Sequence, residues 1–387
     1  MQGERVAPRT LFMLGALLAV ATFFAAYGAF TGRELGFLSA RNLSLLSTEL
    51  ASSGVLALGM LLVILPGHVD LSAGSAVGLS GALAAMLISD PSALLRHLLG
   101  VELAGHPLGA GLAMGIALLA SMALYAGMGF CVAYQRMPAF IVTLGGLLAF
   151  KGLHWQAIAN ATVAVVAGGE RNALSALTTY YAPMSYAWPI AAALFCVFAF
   201  ASRKQDVERW LLELAVVGQL LAIGLIVCGR YRGVPLAAVL LLAVTAGVYV
   251  LTEKTTLGRY LYAIGGNEQA ARLAGIEVQR ITVLAFVIMG AIAALSGFLQ
   301  TSYAGASTTT VGQLMELDAV AACVIGGASL KGGRGSALGV LFGALIMAVL
   351  LNGMTLMAVS PEHKLIARGV ILAFAVWIDL RLGGEGR

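Results

Sequence analysis

Ionisable side chains inside long apolar stretches are the residues of this sequence most able to do chemistry. Charge within a bilayer is costly, so each such residue is a hypothesis for a functional site. The residues are Glu49, Asp70, Lys151, Glu213, Glu316, Asp318, Arg368 and Asp379. Most of them lie near the ends of apolar runs, where helix capping or snorkelling is the more common explanation. Asp70 and Asp318 are the two for which a functional role weighs most.

Motifs for nucleotide or metal chemistry do not occur in the sequence. The glycines from Gly326 to Gly333 surround Lys331 at the wrong spacing for a phosphate-binding loop, and GGRGSALG misses the dinucleotide fingerprint by one position. The five histidines lie on different predicted elements, and the four cysteines stand singly in apolar runs. The sequence therefore predicts no metal site, no cofactor and no enzymatic activity of its own.

The composition sets the class of protein. Of 387 residues, 60% are hydrophobic and 11% charged, whereas soluble domains have about 45–50% and 25%. The chain is therefore predicted to be a polytopic membrane protein in the lipid bilayer. Its net charge of +5 is dispersed between apolar runs, which argues against nucleic acid as a partner and favours positively charged cytoplasmic loops.

About twelve membrane segments are expected, which makes the fold all-α. We treat residues 1–387 as one transmembrane domain, with both termini in the cytoplasm and an uncleaved first segment. The segments are predicted near 11–30, 45–65, 72–89, 108–134, 138–155, 187–201, 210–228, 235–251, 281–303, 316–330, 336–358 and 364–380. The loop with Arg203, Lys204 and Arg209 then faces the cytoplasm.

Two segments look interrupted. Pro66–Ser75 places Pro, Gly and an Asp-Leu-Ser cap between apolar stretches, and Glu316–Arg334 has about fifteen apolar residues before a glycine-rich turn. Broken or re-entrant helices often flank a transport path. We therefore expect a path lined by Asp70, Ser72, Ser75, Asp318 and Asn352, whose side chains can hydrogen-bond hydroxyl groups. The alternative is that Asp70 only caps a helix beginning near Leu71.

Residues 256–276 form the longest polar stretch between apolar runs. Gly265 and Gly266 predict a turn, Asn267 an N-cap, and Gly275 a helix end, giving a short helix over residues 267–274. Seven or eight residues are marginal as an isolated helix, so this helix must pack against something. Its small residues Ala270, Ala271 and Ala274 predict a docking face for another protein, and an interfacial helix lying on the bilayer is the alternative.

Four motifs in order resemble one family: HVDLSAGS (68–75), MPAFIVTLGGLLAFKGL (137–153), GRYLYAIGGNEQAARLAGI (258–276) and ELDAVAACVIGGASLKGGRGS (316–336). They are similar to motifs of the membrane permeases of ribose- and xylose-type bacterial ATP-binding-cassette (ABC) sugar importers, over nearly the whole chain. LSARN at 38–42 and YRGVP at 231–235 resemble the xylose-type branch. Ala73 departs from the family, which usually has Val there, and Lys331 and Arg334 add charge to a turn that is often less charged.

The resemblance implies an inner-membrane, multi-pass permease for a monosaccharide, with D-xylose favoured. It implies that residues 256–276 are a coupling loop inserting into a separate ATPase subunit. The coupling residues are then Gly258, Arg259, Gly265, Gly266, Asn267, Glu268, Ala270, Ala271 and Gly275. Implied partners are two ATPase subunits, a periplasmic sugar-binding protein and a second copy of the permease.

Two alternatives to this interpretation stay open at the level of sequence. An ABC permease for another sugar such as ribose would carry the same motifs, and an ion-coupled secondary sugar transporter would share the membrane class.

The interface of the homodimer is expected to be a glycine face. It consists of Gly335, Gly339 and Gly343, because small residues at helical spacing let helices approach closely.

Overall fold

The computed structural model of the chain describes residues 6–31, 36–100, 106–166, 171–202 and 229–383, with some residues between 207 and 225. Helices make up most of it. They are α1 Val6–Thr31, α2 Ala40–Ile64, α3 Ala73–Ser89, α4 Pro91–Leu99, α5 Ala110–Ala133, α6 Ala139–Ala157, α7 Ala173–Thr179, α8 Met184–Ser202, α9 Leu236–Lys254, α10 Thr256–Gly266, α11 Glu268–Leu273, α12 Val278–Ala304, α13 Met315–Ile325, α14 Ala337–Leu356 and α15 Pro361–Gly383.

Two short antiparallel strand pairs join the loops. β1 (Val163–Ala164) pairs with β4 (Ala306–Ser307), and β2 (Tyr181–Ala182) pairs with β3 (Val234–Pro235). These pairs fasten loops to one another and build no sheet of their own. The helical class predicted from the sequence is confirmed.

Five described helices are long and apolar enough to cross a membrane, namely α2, α5, α9, α12 and α14. Shorter apolar helices cover Gly15–Tyr27, Ala73–Ser89 and Met184–Phe200. This confirms a polytopic membrane protein, while twelve segments and cytoplasmic termini stay predictions. Arg203, Lys204, Arg209 and Glu213 lie outside the described residues.

Helix α2 occupies the centre of the molecule. From Val55 to Leu65 almost every side chain is fully buried, as expected for a helix that is apolar on all sides. It packs against α9, α12, α13 and α14, and α12 also packs against α3 and α5. Helix α6, in contrast, exposes Phe140, Ile141 and Leu148. Such a helix forms an outer wall of the bundle.

Both predicted interruptions occur. Helix α2 ends at Ile64 and α3 begins at Ala73, leaving residues 65–72 non-helical, and α13 has only 11 residues. At about 1.5 Å per residue α13 rises roughly 16 Å, about half of a hydrocarbon core of about 30 Å. The irregular backbone is enclosed by protein, since Asp70 and Ser72 are fully buried. Enclosure is the condition under which non-helical backbone is tolerated at membrane depth.

The glycine face expected at a dimer interface lies inside the protomer, so that prediction is wrong. A Cβ on Gly339 would meet the carbonyl oxygen of Gly326, and one on Gly343 would meet that of Ala322. The reason is the short helix α13, which packs backbone to backbone on α14 and needs small residues there. Gly335 similarly packs beside Leu61.

Candidate functional site

The stretch 256–276 folds as two consecutive helices, α10 and α11, here called the hairpin. Asn267 separates them, and its side-chain oxygen accepts a hydrogen bond from the backbone N–H of Ala270 at 3.0 Å. The predicted N-cap is therefore confirmed, and the helix it begins is Glu268–Leu273. Gly275 has a φ of +83° just beyond the helix end, a conformation that favours glycine.

Gly265 and Gly266 do not form the predicted turn, because both belong to the last turn of α10. Gly265 is needed for close approach instead. A Cβ at this position would collide with the carbonyl oxygen of Leu65 and the backbone nitrogen of Gly333. A pair of glycines in a sequence can indicate either a turn or close packing of the backbone. At Gly265 the reason is close packing.

The hairpin thereby touches both interrupted segments. Gly333 N–H donates to the carbonyl oxygen of Leu65 at 2.9 Å, directly beside Gly265. The Tyr262 hydroxyl donates to the carbonyl oxygen of Gly335 at 2.8 Å. Helix α10 therefore contacts both the loop after α2 and the loop after α13.

Of the three alanines predicted to form a docking face, Ala270 and Ala274 are exposed and Ala271 is buried. Ala271 is only 4% exposed and packs against Ile264 and Val278, so its side chain cannot belong to a docking face. Ala270 points outward, and Leu273, three residues further along, is 91% exposed. The sequence analysis did not single out this exposed apolar side chain.

Charges on the hairpin are paired within it or lie at its surface. Arg272 donates to Glu268 at 2.6 Å across one helical turn, while Arg259 is exposed and Gly258 is buried against the carbonyl oxygen of Thr252. His68, which lies in the loop after α2, is within electrostatic reach of the Glu268 carboxylate. The first interrupted segment is thus within electrostatic reach of α11.

Asp70 is the centre of a buried network. One carboxylate oxygen accepts from the Ser72 backbone N–H at 2.8 Å and from the Ser72 hydroxyl at 2.6 Å, and the other accepts from the Tyr125 hydroxyl at 2.7 Å. Tyr125 belongs to α5 and lies within an apolar run, so no local sequence signal identifies it. Asp70 therefore does more than cap α3, which begins three residues later at Ala73.

The two interrupted segments meet around Gly74. A Cβ there would collide with the carbonyl oxygen of Gly312 and the carboxylate of Glu316. Glu316 is itself buried and lies within electrostatic reach of both Asp70 and Asp318. Ser75 is partly exposed beside this contact.

Asp318 and Asn352 belong to a second cluster. Asn352 exchanges two amide hydrogen bonds with Asn42, at 2.9 and 3.2 Å. Asp318 faces Arg368, with Nη2 and Oδ2 3.5 Å apart. The five predicted path residues therefore fall into two groups, with Glu316 between them.

The comparisons with known proteins agree with this architecture. Residues 42–376 match the family described as "Branched-chain amino acid transport system / permease component". The chain belongs to this permease family.

Among the relatives of the permease are two kinds of sugar permease. It is 38% identical over 379 residues to the xylose transport system permease protein XylH of Escherichia coli (strain K12), covering 95% of this chain and 90% of that protein. It is 33% identical over 344 residues to the ribose import permease protein RbsC of Bacillus subtilis (strain 168), covering 89% and 86%. No solved structure matches the permease.

The side chains at both polar clusters of the permease suit transport of a neutral, hydroxylated molecule. Carboxylate, amide and hydroxyl groups form hydrogen bonds of the kind that sugar hydroxyls make. Among the described residues, no three His, Cys, Asp or Glu side chains are grouped to hold a metal ion.

Proposed function

We propose that the chain is the membrane permease of an ABC importer for D-xylose in the bacterial inner membrane. In this proposal a periplasmic binding protein delivers the sugar, and separate ATPase subunits supply the energy through the hairpin. The observation that carries the coupling is the contact of Gly265 with Leu65 and Gly333, because it links one hairpin to both interrupted segments. The choice of D-xylose rests on the XylH relatives.

An ion-coupled secondary transporter is the competing function. Such a transporter needs an acidic side chain that takes up and releases the coupling ion, whereas Asp70 has three hydrogen-bond donors from the protein and Asp318 already faces the fixed positive charge of Arg368. An exposed apolar side chain such as Leu273 on a short cytoplasmic helix has no evident use in that mechanism. It suits a partner's groove.

Reconstitution into proteoliposomes tests the proposal. The permease, its ATPase and the xylose-binding protein should together import labelled xylose only when ATP is supplied to the ATPase side. Excess unlabelled xylose should compete more strongly than ribose. Xylose uptake driven by a proton or sodium gradient, without the ATPase and binding protein, would establish the secondary transporter instead.

We expect the permease to act as a homodimer. The two ATPase subunits of an ABC importer need two symmetric contact points, and each chain contributes one hairpin. Since Gly335, Gly339 and Gly343 are occupied within the protomer, the interface must use another face. The mass of the detergent-solubilised complex decides this, and one permease bound to two ATPase subunits would rule the homodimer out.

Leu273→Glu should uncouple the permease without unfolding it. The side chain is 91% exposed, so the free permease loses no packing, whereas a charge in a partner's apolar groove is poorly tolerated. We expect binding-protein-stimulated ATP hydrolysis to fall by about tenfold or more, which corresponds to roughly 1.4 kcal/mol. The thermal unfolding temperature of the purified permease should stay unchanged.

Gln269→Glu is the matched control, because it adds the same charge to another exposed position of α11. It should affect ATP hydrolysis much less than Leu273→Glu. Ala271→Glu should behave differently from both, lowering the unfolding temperature because it places a carboxylate between Ile264 and Val278. Equal effects of all three substitutions would show that Leu273 is not the anchor.

A further inference from the structure

A charged cluster lies within the bundle far from the hairpin. It consists of Glu49 on α2, Asp318 on α13, and Lys364 and Arg368 on α15. Glu49 precedes Leu65 by sixteen positions, which is roughly 24 Å along a helix. The cluster is therefore well separated from the contacts of Gly265.

The four charges lie close to one another. Arg368 Nη2 is 3.5 Å from Asp318 Oδ2. Glu49 is within electrostatic reach of Arg368, Lys364 and Asp318, and the side-chain amide of Asn352 also approaches it. Two acids and two bases on α2, α13 and α15 thus lie within electrostatic reach of one another.

The ion pair between Asp318 and Arg368 has polar atoms that form no hydrogen bond. Asp318 is only 8% exposed, yet its Oδ1 has no partner among the described residues, and neither has Arg368 Nε. The 3.5 Å separation is also longer than the 2.7–2.9 Å of a good charge-assisted hydrogen bond. If the pair only held α15 in place, the two charged groups would be expected to lie at hydrogen-bonding distance, since buried charges stabilise a fold only when they are well paired.

The charges in the cluster indicate which kind of ligand it can bind. Arg368 and Lys364 repel a cation, and Glu49 and Asp318 repel an anion, so a neutral molecule is favoured. A sugar hydroxyl can donate to Asp318 Oδ1 while a neighbouring hydroxyl accepts from Arg368. We propose that Glu49, Asp318 and Arg368 form a hydroxyl-binding subsite for the monosaccharide as it passes through the permease. This inference rests on the proposed function and extends it.

The subsite also implies different roles for the two groups of predicted path residues. Asp70 and Ser72 form a closed network in which both Asp70 oxygens already have donors. Asp318 retains an acceptor and lies beside the partly buried Arg368. Sugar contact is therefore assigned to the second interrupted segment, and a positioning role to the first.

The test uses the complete reconstituted importer with xylose as the probe. Asp318→Asn and Arg368→Gln should each lower the amount of xylose imported per ATP hydrolysed by about tenfold, the effect of losing one hydrogen bond to a charged group. Binding-protein-stimulated ATP hydrolysis should stay within about twofold of wild type, because the hairpin is remote. Glu362→Gln, an exposed change in the first turn of the same helix, is the control and should alter neither quantity.

Three results would overturn the subsite. The first is xylose uptake at the wild-type level in both variants. The second is a joint fall of uptake, ATP hydrolysis and unfolding temperature, as expected for a structural ion pair. Restored uptake in the double variant Asp318→Arg with Arg368→Asp would likewise show that only the pair matters. If wild-type importer fails to import xylose at all, the proposed function is what fails, and the variants are then not the cause.

Discussion

Replacing Gly265 by alanine should abolish ATP-driven xylose uptake. The added methyl group would collide with the backbone at Leu65 and Gly333, and backbone cannot rotate away as a flexible side chain can. Overpacking of this kind typically costs about 1–3 kcal/mol. Relief requires that α10 move away from both interrupted segments, which breaks the mechanical link. The measurement is xylose uptake and stimulated ATP hydrolysis in proteoliposomes.

Gly266→Ala is the matched control, since the residue is next in the same helix and a Cβ there would meet nothing within 4 Å. Alanine is favoured over glycine in a helix by about 1 kcal/mol, so this variant should be as stable as wild type or more so. Sequence reasoning assigned both glycines to coupling. Similar loss of uptake in the two variants would contradict the contact at Gly265 and restore a shared role.

Local features of the hairpin were predictable because they depend on neighbouring residues. Asn267 caps through the backbone of Ala270, and Gly275 ends the helix through its own φ. The role of Gly265 was not predictable, because Leu65 lies 200 positions earlier in the chain. A glycine that permits an unusual φ and one that permits close approach are identical in sequence.

In the polar clusters, too, local features could be predicted from the sequence and distant partners could not. Interruptions at residues 65–72 and around α13 followed from Pro, Gly and polar residues in apolar runs, and both are confirmed. The partners were missed, since Tyr125 and Asn42 are polar residues in otherwise unremarked helices. Gly339 and Gly343 had a predicted face but no predicted neighbour, and α13 supplies that neighbour within the protomer. Spacing predicts a face, whereas only the tertiary structure decides what covers it.

Asp70→Ala should be among the most destabilising substitutions in the permease. It removes the acceptor for three donors, two from Ser72 and one from Tyr125, in a site with no exposure. Each buried donor left unsatisfied costs about 1–3 kcal/mol, so the combined loss should exceed about 3 kcal/mol. Thermal unfolding of the purified permease in detergent measures it.

Asp70→Asn separates the positioning role from a role in the path. Its carbonyl oxygen can accept from Ser72, and its amide can donate to the Tyr125 hydroxyl oxygen, so most of the stability should be kept. Tyr125→Phe should cost about 1.5–3 kcal/mol in the wild-type background, where it leaves a carboxylate oxygen unpartnered, and less alongside Asp70→Asn. The double-mutant cycle therefore gives a coupling energy for this contact. If Asp70→Asn keeps stability and uptake, the network positions α3 against α5. If it keeps stability but loses uptake, the charge itself acts in transport, and Asp70 belongs to the path with Asp318.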